Sequence, residues 1–247
     1  MSSSIQRAIV AQTRMELKLT MRRGENVLVT IVVPIVLLVF FASLGLIPAT
    51  NGGPMDFLVP GILALAIIST GMVNLGIATA YERYYGILKR LGGSPLPRWG
   101  LLLAKAMSVL VLEVVQVVLL LAVAILGYGW HPHGGQTVLA VVGLILGTLA
   151  FSAIGLAMAG ALRAEATLAI ANGLYLLFLL LGDVLMPTDH LPPLLRPVSE
   201  ALPATALSDT LRFAFTGAPS FPTLSAVLLA VWAVGALVVA TRTFKWE

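Results

Sequence analysis

Residues 101–127 read LLLAKAMSVLVLEVVQVVLLLAVAILG, with Lys105 and Glu113 the only charged side chains. A helix that crosses a bilayer needs about 20 apolar residues, and a helix buried in a soluble core needs fewer. The run Leu101–Gly127 is long enough to span. Lipid offers no hydrogen-bond partner, so every peptide group must be satisfied within its own helix or within a closed barrel. A continuous apolar run does not fit the short alternating strands of a barrel. The stretch therefore predicts a membrane-spanning α-helix.

Five further blocks qualify on either side of it: about Val27–Ile47, Phe57–Ala80, Thr137–Leu162, Thr167–Met186 and Phe221–Thr241. Composition agrees. The chain has 247 residues, 59% hydrophobic and 11% charged, and a mean hydropathy of +0.99. A soluble domain carries roughly 25% charged residues, so this chain has too little polar surface to coat a globule. There is no cysteine, which excludes disulfides, thiolate metal sites and thiol catalysis.

Charge orients the spans. The segment before the first block carries Arg7, Arg14, Lys18, Arg22 and Arg23, and no compact apolar region that would mark a cleaved signal. The first block is then expected to act as the insertion signal. Loop 48–56 has no Lys or Arg, and neither has loop 128–136. Arg83, Lys89, Arg90, Arg98 and Lys105 cluster after the second block, Arg163 follows the fourth, and Arg242 and Lys245 follow the sixth. Thirteen basic residues fall on one side and two, Arg196 and Arg212, on the other. The positive-inside rule places the basic side, with both termini, in the cytoplasm. An odd number of spans would break this alternation. The net charge of +4 is thus read as membrane topology, not as a nucleic-acid footprint.

Residues Ile5–Arg23 predict a helix lying on the cytoplasmic face. Ile5, Ala8, Ile9, Met15 and Leu19 fall on one side, and Arg7, Arg14, Lys18 and Arg22 gather on another. Glu16 lies close to the apolar face, an imperfection in the pattern. In loop 81–98, Gly92-Gly93 is expected to end a short helix and Ser94-Pro95 to turn the chain back. Tyr84, Ile87, Leu88 and Leu91 are expected on one side of that helix, suited to a groove on a soluble partner. Segment 187–220 lies outside. It contains Pro187, Pro192, Pro193, Pro197, Pro203 and Pro219, and a proline inside a spanning helix costs about 3 kcal/mol. Two short helices are expected there, about Leu194–Ala201 and Thr205–Phe215, forming a re-entrant hairpin.

At the loop the sequence becomes specific. Glu82-Arg83, Gly86, Lys89-Arg90-Leu91, Ser94-Pro95-Leu96 and Lys105 resemble the signature of type-2 ABC transporter permeases, above all the daunorubicin-resistance and multidrug-export branch. Leu191-Pro192, Leu202-Pro203-Ala204-Thr205 and Arg212, with Gln116 in the third span, extend the resemblance. It covers the whole chain, 1–247, as one transmembrane domain. It implies that residues 81–100 form a coupling loop in which Glu82, Arg83, Gly86, Lys89, Arg90 and Leu91 dock a separate ATPase subunit. It also implies a second permease subunit, a path lined by spans one, two and five, and export of amphipathic drugs or lipids across the cytoplasmic membrane. Glu113 departs from the pattern. The polysaccharide-exporting branch fits less well, because its motif before the first span is not recognisable.

An ionised side chain at the bilayer centre costs at least ~2.5–3.5 kcal/mol. Glu113, with Gln116 three residues on, is either a substrate or proton site or a protonated carboxyl bonded to Gln116 or a neighbouring helix. Asn74 and Asn172 are candidates for the substrate path and for interhelical hydrogen bonds. Asp183 is expected to face water or cap the outer hairpin. Gly143-x-x-x-Gly147 allows close helix approach, within or between subunits. His131-Pro132-His133 has no acidic or thiol companion in its loop, so no metal site is expected. No Gly-x-x-x-x-Gly-Lys-Ser/Thr occurs, so ATP and its Mg²⁺ are expected in the partner subunit and no cofactor on this chain. His-Glu-x-x-His and Gly-x-Ser-x-Gly are absent, and Gly182-Asp183 has no partner aspartate in another span, which argues against an enzyme. The rival class is a non-ABC membrane protein: a channel, a secondary transporter or an assembly scaffold.

Overall fold

A computed structural model describes residues 2–22, 24–44, 53–93, 96–217 and 221–244. Its elements are helical, with no strand among the described residues. The order is α1 (Ser2–Arg22), α2 (Gly24–Leu44), α3 (Pro54–Ile67), a π-helical segment (Ile68–Asn74), α4 (Leu75–Tyr84), α5 (Ile87–Gly92), α6 (Arg98–Tyr128), α7 (Thr137–Ala161), α8 (Ala164–Leu181), α9 (Arg196–Ala201), α10 (Pro203–Thr216) and α11 (Thr223–Thr243).

Five helices are long and apolar enough to cross a bilayer: 54–84, 98–128, 137–161, 164–181 and 223–243. The apolar part of α2, Leu28–Leu44, is a shorter sixth. The fifth block ends earlier than the sequence predicts, at Leu181 and not at Met186. Asp183 there takes a left-handed φ of 55°, which turns the chain into the segment before α9. The turn expected at Ser94-Pro95 lies outside the described residues, as do Arg23, Pro219 and Lys245.

The continuous rod α3–π–α4 is the centre of the bundle, and α2, α6, α7, α8 and α10 pack around it. Small residues set its distance from α7. A Cβ on Gly155 would stand 2.7 Å from the Met72 carbonyl oxygen, and one on Gly76 would stand 3.0 Å from the Gly155 oxygen. Backbones this close gain dispersion contacts that larger side chains would prevent. Helix α10 is buried among α3, α7 and α11, and the small pair in α7 serves it. Gly143 faces Thr210 and Gly147 faces Leu207, so this pair packs within the chain.

Helix α1 lies against α6. Its inward face includes Ala8 and Ile9, which pack on a cluster with Leu96, Leu101 and Phe244, and the buried Glu16. Met15 and Leu19, expected on the same face as Ile9, are exposed. The face is rotated toward Glu16 because that carboxylate has a partner inside.

Candidate functional site

Lys105 enters α6 two turns after its start and is 1% exposed. Its Nζ stands 2.6 Å from Glu82 Oε2 and 3.0 Å from Glu16 Oε2. Gln12 donates to Glu16 Oε1 at 2.8 Å. An unpaired buried ammonium would be prohibitively costly, so α1, α4 and α6 are held together wherever this trio persists. The next residue, Arg83, donates to the carbonyls of Gly160 and Leu162, two acceptors left open at the C-terminal end of α7, where a cation is also favoured by the helix dipole. Adjacent residues of one helix end thus anchor it to two different neighbours.

The loop beyond is outward. Gly86 takes φ 71°, a conformation that suits glycine, and breaks the helix there, so no helix runs unbroken to Gly92. This overturns the expectation that Tyr84, Ile87, Leu88 and Leu91 share a face. Leu88 is fully buried under the loop, whereas Tyr84 and Tyr85 are about two-thirds exposed, at 66% and 67%. Tyr85 stacks on Tyr81 at 6.2 Å and meets Tyr84 edge-on at 5.2 Å. Lys89 and Arg90 are exposed and Leu91 is half-buried. Of the residues expected to dock a partner, Glu82 and Arg83 therefore face inward, and Lys89 and Arg90 face out.

Above the trio a cleft of about 220 Å³ opens between α1, α2, the π segment with α4, and α6. Its lining includes Glu16, Glu82, Lys105, Asn74 and Gln116 within mostly apolar walls. Asn74 Nδ2 donates to Thr30 Oγ1 at 2.7 Å, an interhelical bond. Gln116 Nε2 donates to the Thr30 carbonyl at 2.7 Å, and Thr70 Oγ1 donates to Gln116 Oε1 at 3.1 Å. The π segment, a rare geometry often found at functional sites, supplies both Thr70 and Asn74. Span five contributes no residue to this cleft.

Glu113 is buried in the same helix but faces α7, where the Thr148 hydroxyl donates to its Oε2. Its Oε1 and the Ser152 hydroxyl have no partner among the described residues. Gln116 bonds α2 and the π segment instead, so of the two partners expected for Glu113, Gln116 or a neighbouring helix, the structure shows the neighbouring helix. Asn172 is exposed and donates to Leu168 of its own helix at 2.8 Å. It makes no interhelical bond among the described residues.

At the other end, Asp183 Oδ1 accepts the Thr188 amide at 2.9 Å, and Oδ2 pairs with Arg212. Arg212 also donates to the Asp183 carbonyl at 2.9 Å and stands 4.2 Å over the Phe57 ring. Thr205 Oγ1 donates to Ser199 O at 2.6 Å, and Pro203 starts α10. Pro192 accepts the Leu195 amide at 2.9 Å in the turn before α9. Asp183 is thus the cap of the outer hairpin. Burial, then the neighbouring Asp183 carboxylate, pushes Asp209 up to about 6, against the pull of Arg212 and Ser225. His133 Nε2 lies 3.5 Å from Asp56, which accepts from Trp130 Nε1 at 2.7 Å. No group of three metal-ligating residues occurs among the described residues.

Sequence reasoning missed the Glu16–Lys105 contact, although two signals pointed to it: an acid on an apolar helix face, and a lysine inside an apolar run. Thr148 and the π segment carried no such signal.

Comparison with known proteins converges on the same class. The chain is 24% identical over 202 residues to the putative transport permease YvfS of Bacillus subtilis (strain 168), covering 78% of this chain and 79% of the relative. It is 24% identical over 154 residues to the probable multidrug ABC transporter permease YbhR of Escherichia coli (strain K12), covering 62% of this chain and 42% of YbhR. Residues 7–216 match the family described as ABC-2 type transporter. That span takes in α1, the loop, the cleft and the outer hairpin, and the chain belongs to the ABC-2 type transporter family.

Proposed function

We propose that this chain is the six-span permease subunit of an ATP-driven exporter in the cytoplasmic membrane, with both termini and the loop at 82–91 on the cytoplasmic side. A separate ATPase subunit binds there, two permease subunits pair, and amphipathic drugs or lipids are the cargo. ATP and Mg²⁺ belong to the partner, since none of the 247 residues forms a phosphate-binding loop. The outer hairpin α9–α10 enters the outer leaflet re-entrantly, a reading supported by the burial of α10 inside the bundle.

The observation that carries this reading is the loop's division of labour. Glu82, Arg83 and Leu88 fix it to the bundle, while Tyr84, Tyr85 and Arg90 face outward. A rigidly anchored surface transmits displacement, whereas a mobile one absorbs it. Closure of the ATPase pair would press this surface. Lys105 would carry the movement to α1 and α6, and Arg83 would carry it to the turn between α7 and α8. The two permeases then shift as rigid bodies and open their shared path to the other side.

The test is co-purification of the chain with a co-expressed ABC ATPase subunit. Arg90→Glu is expected to reduce recovery of the ATPase at least several-fold while leaving the permease folded. Unchanged recovery would place the docking surface elsewhere.

A further inference from the structure

Glu113 sits in the middle of α6, fifteen residues from Arg98 and fifteen from Tyr128, and is 3% exposed. At the membrane centre an ionised side chain needs a counter-charge. Helix α7, which Glu113 faces, supplies none: it carries no Asp, Glu, Lys, Arg or His between Thr137 and Ala161. The π segment carries none either. Asp56 in the first turn of α3 and Arg242 in the last turn of α11 lie at helix ends. Lys105 lies eight residues toward the cytoplasmic end of α6, about 12 Å along the helix, and is paired with Glu16 and Glu82.

The oxygen positions fix the contact between Glu113 Oε2 and Thr148 Oγ1, and the hydrogen count decides which of the two donates. Thr148 owns one hydroxyl hydrogen. Two acceptors lie within its reach: Glu113 Oε2 and, at 2.8 Å, the Leu144 carbonyl one turn back in α7. The carbonyl has no hydrogen of its own, so that bond takes the one from Thr148. The hydrogen between Thr148 and Glu113 then comes from the carboxyl. Ionised Glu113 would instead have to share a single hydrogen with Leu144. Its charge would also spread onto Oε1, which has no partner among the described residues. A buried anionic oxygen without a donor costs far more than a carbonyl oxygen without one. In the carboxylic acid, Oε1 is that carbonyl oxygen.

We infer that Glu113 is a proton-binding site in the membrane interior: a neutral carboxylic acid whose O–H donates to Thr148 Oγ1, which in turn donates to the Leu144 carbonyl. This relay of two hydrogen bonds joins spans three and four without net charge. It presupposes only that α6 crosses the bilayer and is tested without any ATPase, so its failure is separable from failure of docking.

The experiment is infrared spectroscopy of the purified full chain in phosphatidylcholine nanodiscs at pH 7. The wild-type minus Glu113→Gln difference spectrum is expected to contain the carbonyl stretch of one protonated carboxyl. Thr148→Val removes the acceptor and keeps the carboxyl, so the band is expected to persist and move to higher frequency as its hydrogen bond is lost. If Glu113→Gln does not fold, the wild-type minus Thr148→Val spectrum decides alone: a paired gain and loss in the protonated-carboxyl region supports the site, and a flat trace there overturns it. Carboxylate bands in place of the carbonyl stretch overturn the neutral state. A carbonyl band that Thr148→Val leaves unmoved overturns the bond to Thr148.

Discussion

The bundle carries an ion cluster at each end, and the two are built differently. At the inner end one lysine serves two carboxylates from distant elements, Glu16 of α1 and Glu82 of α4. At the outer end one arginine serves Asp183 and Asp209, and Asp183 is also satisfied by the Thr188 amide. In the inner cluster Gln12 reaches only Glu16: remove Lys105, and two buried carboxylates are left without a cation. The outer cluster closes a local hairpin, while the inner one joins three helices. This contrast separates a cap, which needs only to hold its own segment, from a coupling point, through which movement of one element reaches another.

Breaking the inner cluster should have the largest effect. Lys105→Met leaves buried, uncompensated charge and is expected to destabilise the detergent-solubilised chain by about 3–5 kcal/mol, read from its thermal unfolding midpoint. Adding Glu16→Gln and Glu82→Gln should recover most of that loss, because neutral amides of similar volume carry a much smaller desolvation penalty than carboxylates. Such a rescued chain should fold yet transport poorly, if the trio couples. Arg212→Met at the outer end should cost less, about 1.5–3 kcal/mol, with ATPase recruitment unchanged.

The outer cluster should also respond to pH. Asp209 is pushed up to about 6 in the folded chain, from an ordinary value of 3.8, so the folded state binds more protons than the unfolded one between those values. Stability therefore falls as pH rises from about 4 to about 6 and levels off above. The outer cap should be firmer at pH 5 than at pH 7, and Asp209→Asn should flatten the difference. The smallest effect belongs to Asn74→Leu, which removes one interhelical bond worth about 0.6 kcal/mol.

The apolar runs, basic loops and proline-rich outer segment were legible in the sequence because each follows from a simple rule of length, charge or backbone chemistry. Long apolar helices appeared at the expected places, and α9 and α10 lie within two residues of the expected bounds. The partners of buried charges were not legible. Glu16 and Lys105 are 89 residues apart, and periodicity carries no information about contacts between elements. Each residue broke its own pattern, and only together do the two irregularities explain each other. The break at Gly86 was hidden for another reason. Its neighbours are compatible with helix, and one left-handed glycine rotates everything after it. Glu113 looked like a partner for Gln116 on spacing alone, but tertiary packing turned the two toward different helices.

Residues 82–91 should face the cytoplasm as an anchored docking surface. The chain contains no cysteine, so single-cysteine labelling in intact cells and inverted vesicles tests it directly. Arg90→Cys should react with a membrane-impermeant maleimide only in inverted vesicles, and Pro132→Cys only in intact cells. Labelling of Arg90→Cys from outside intact cells would contradict the account.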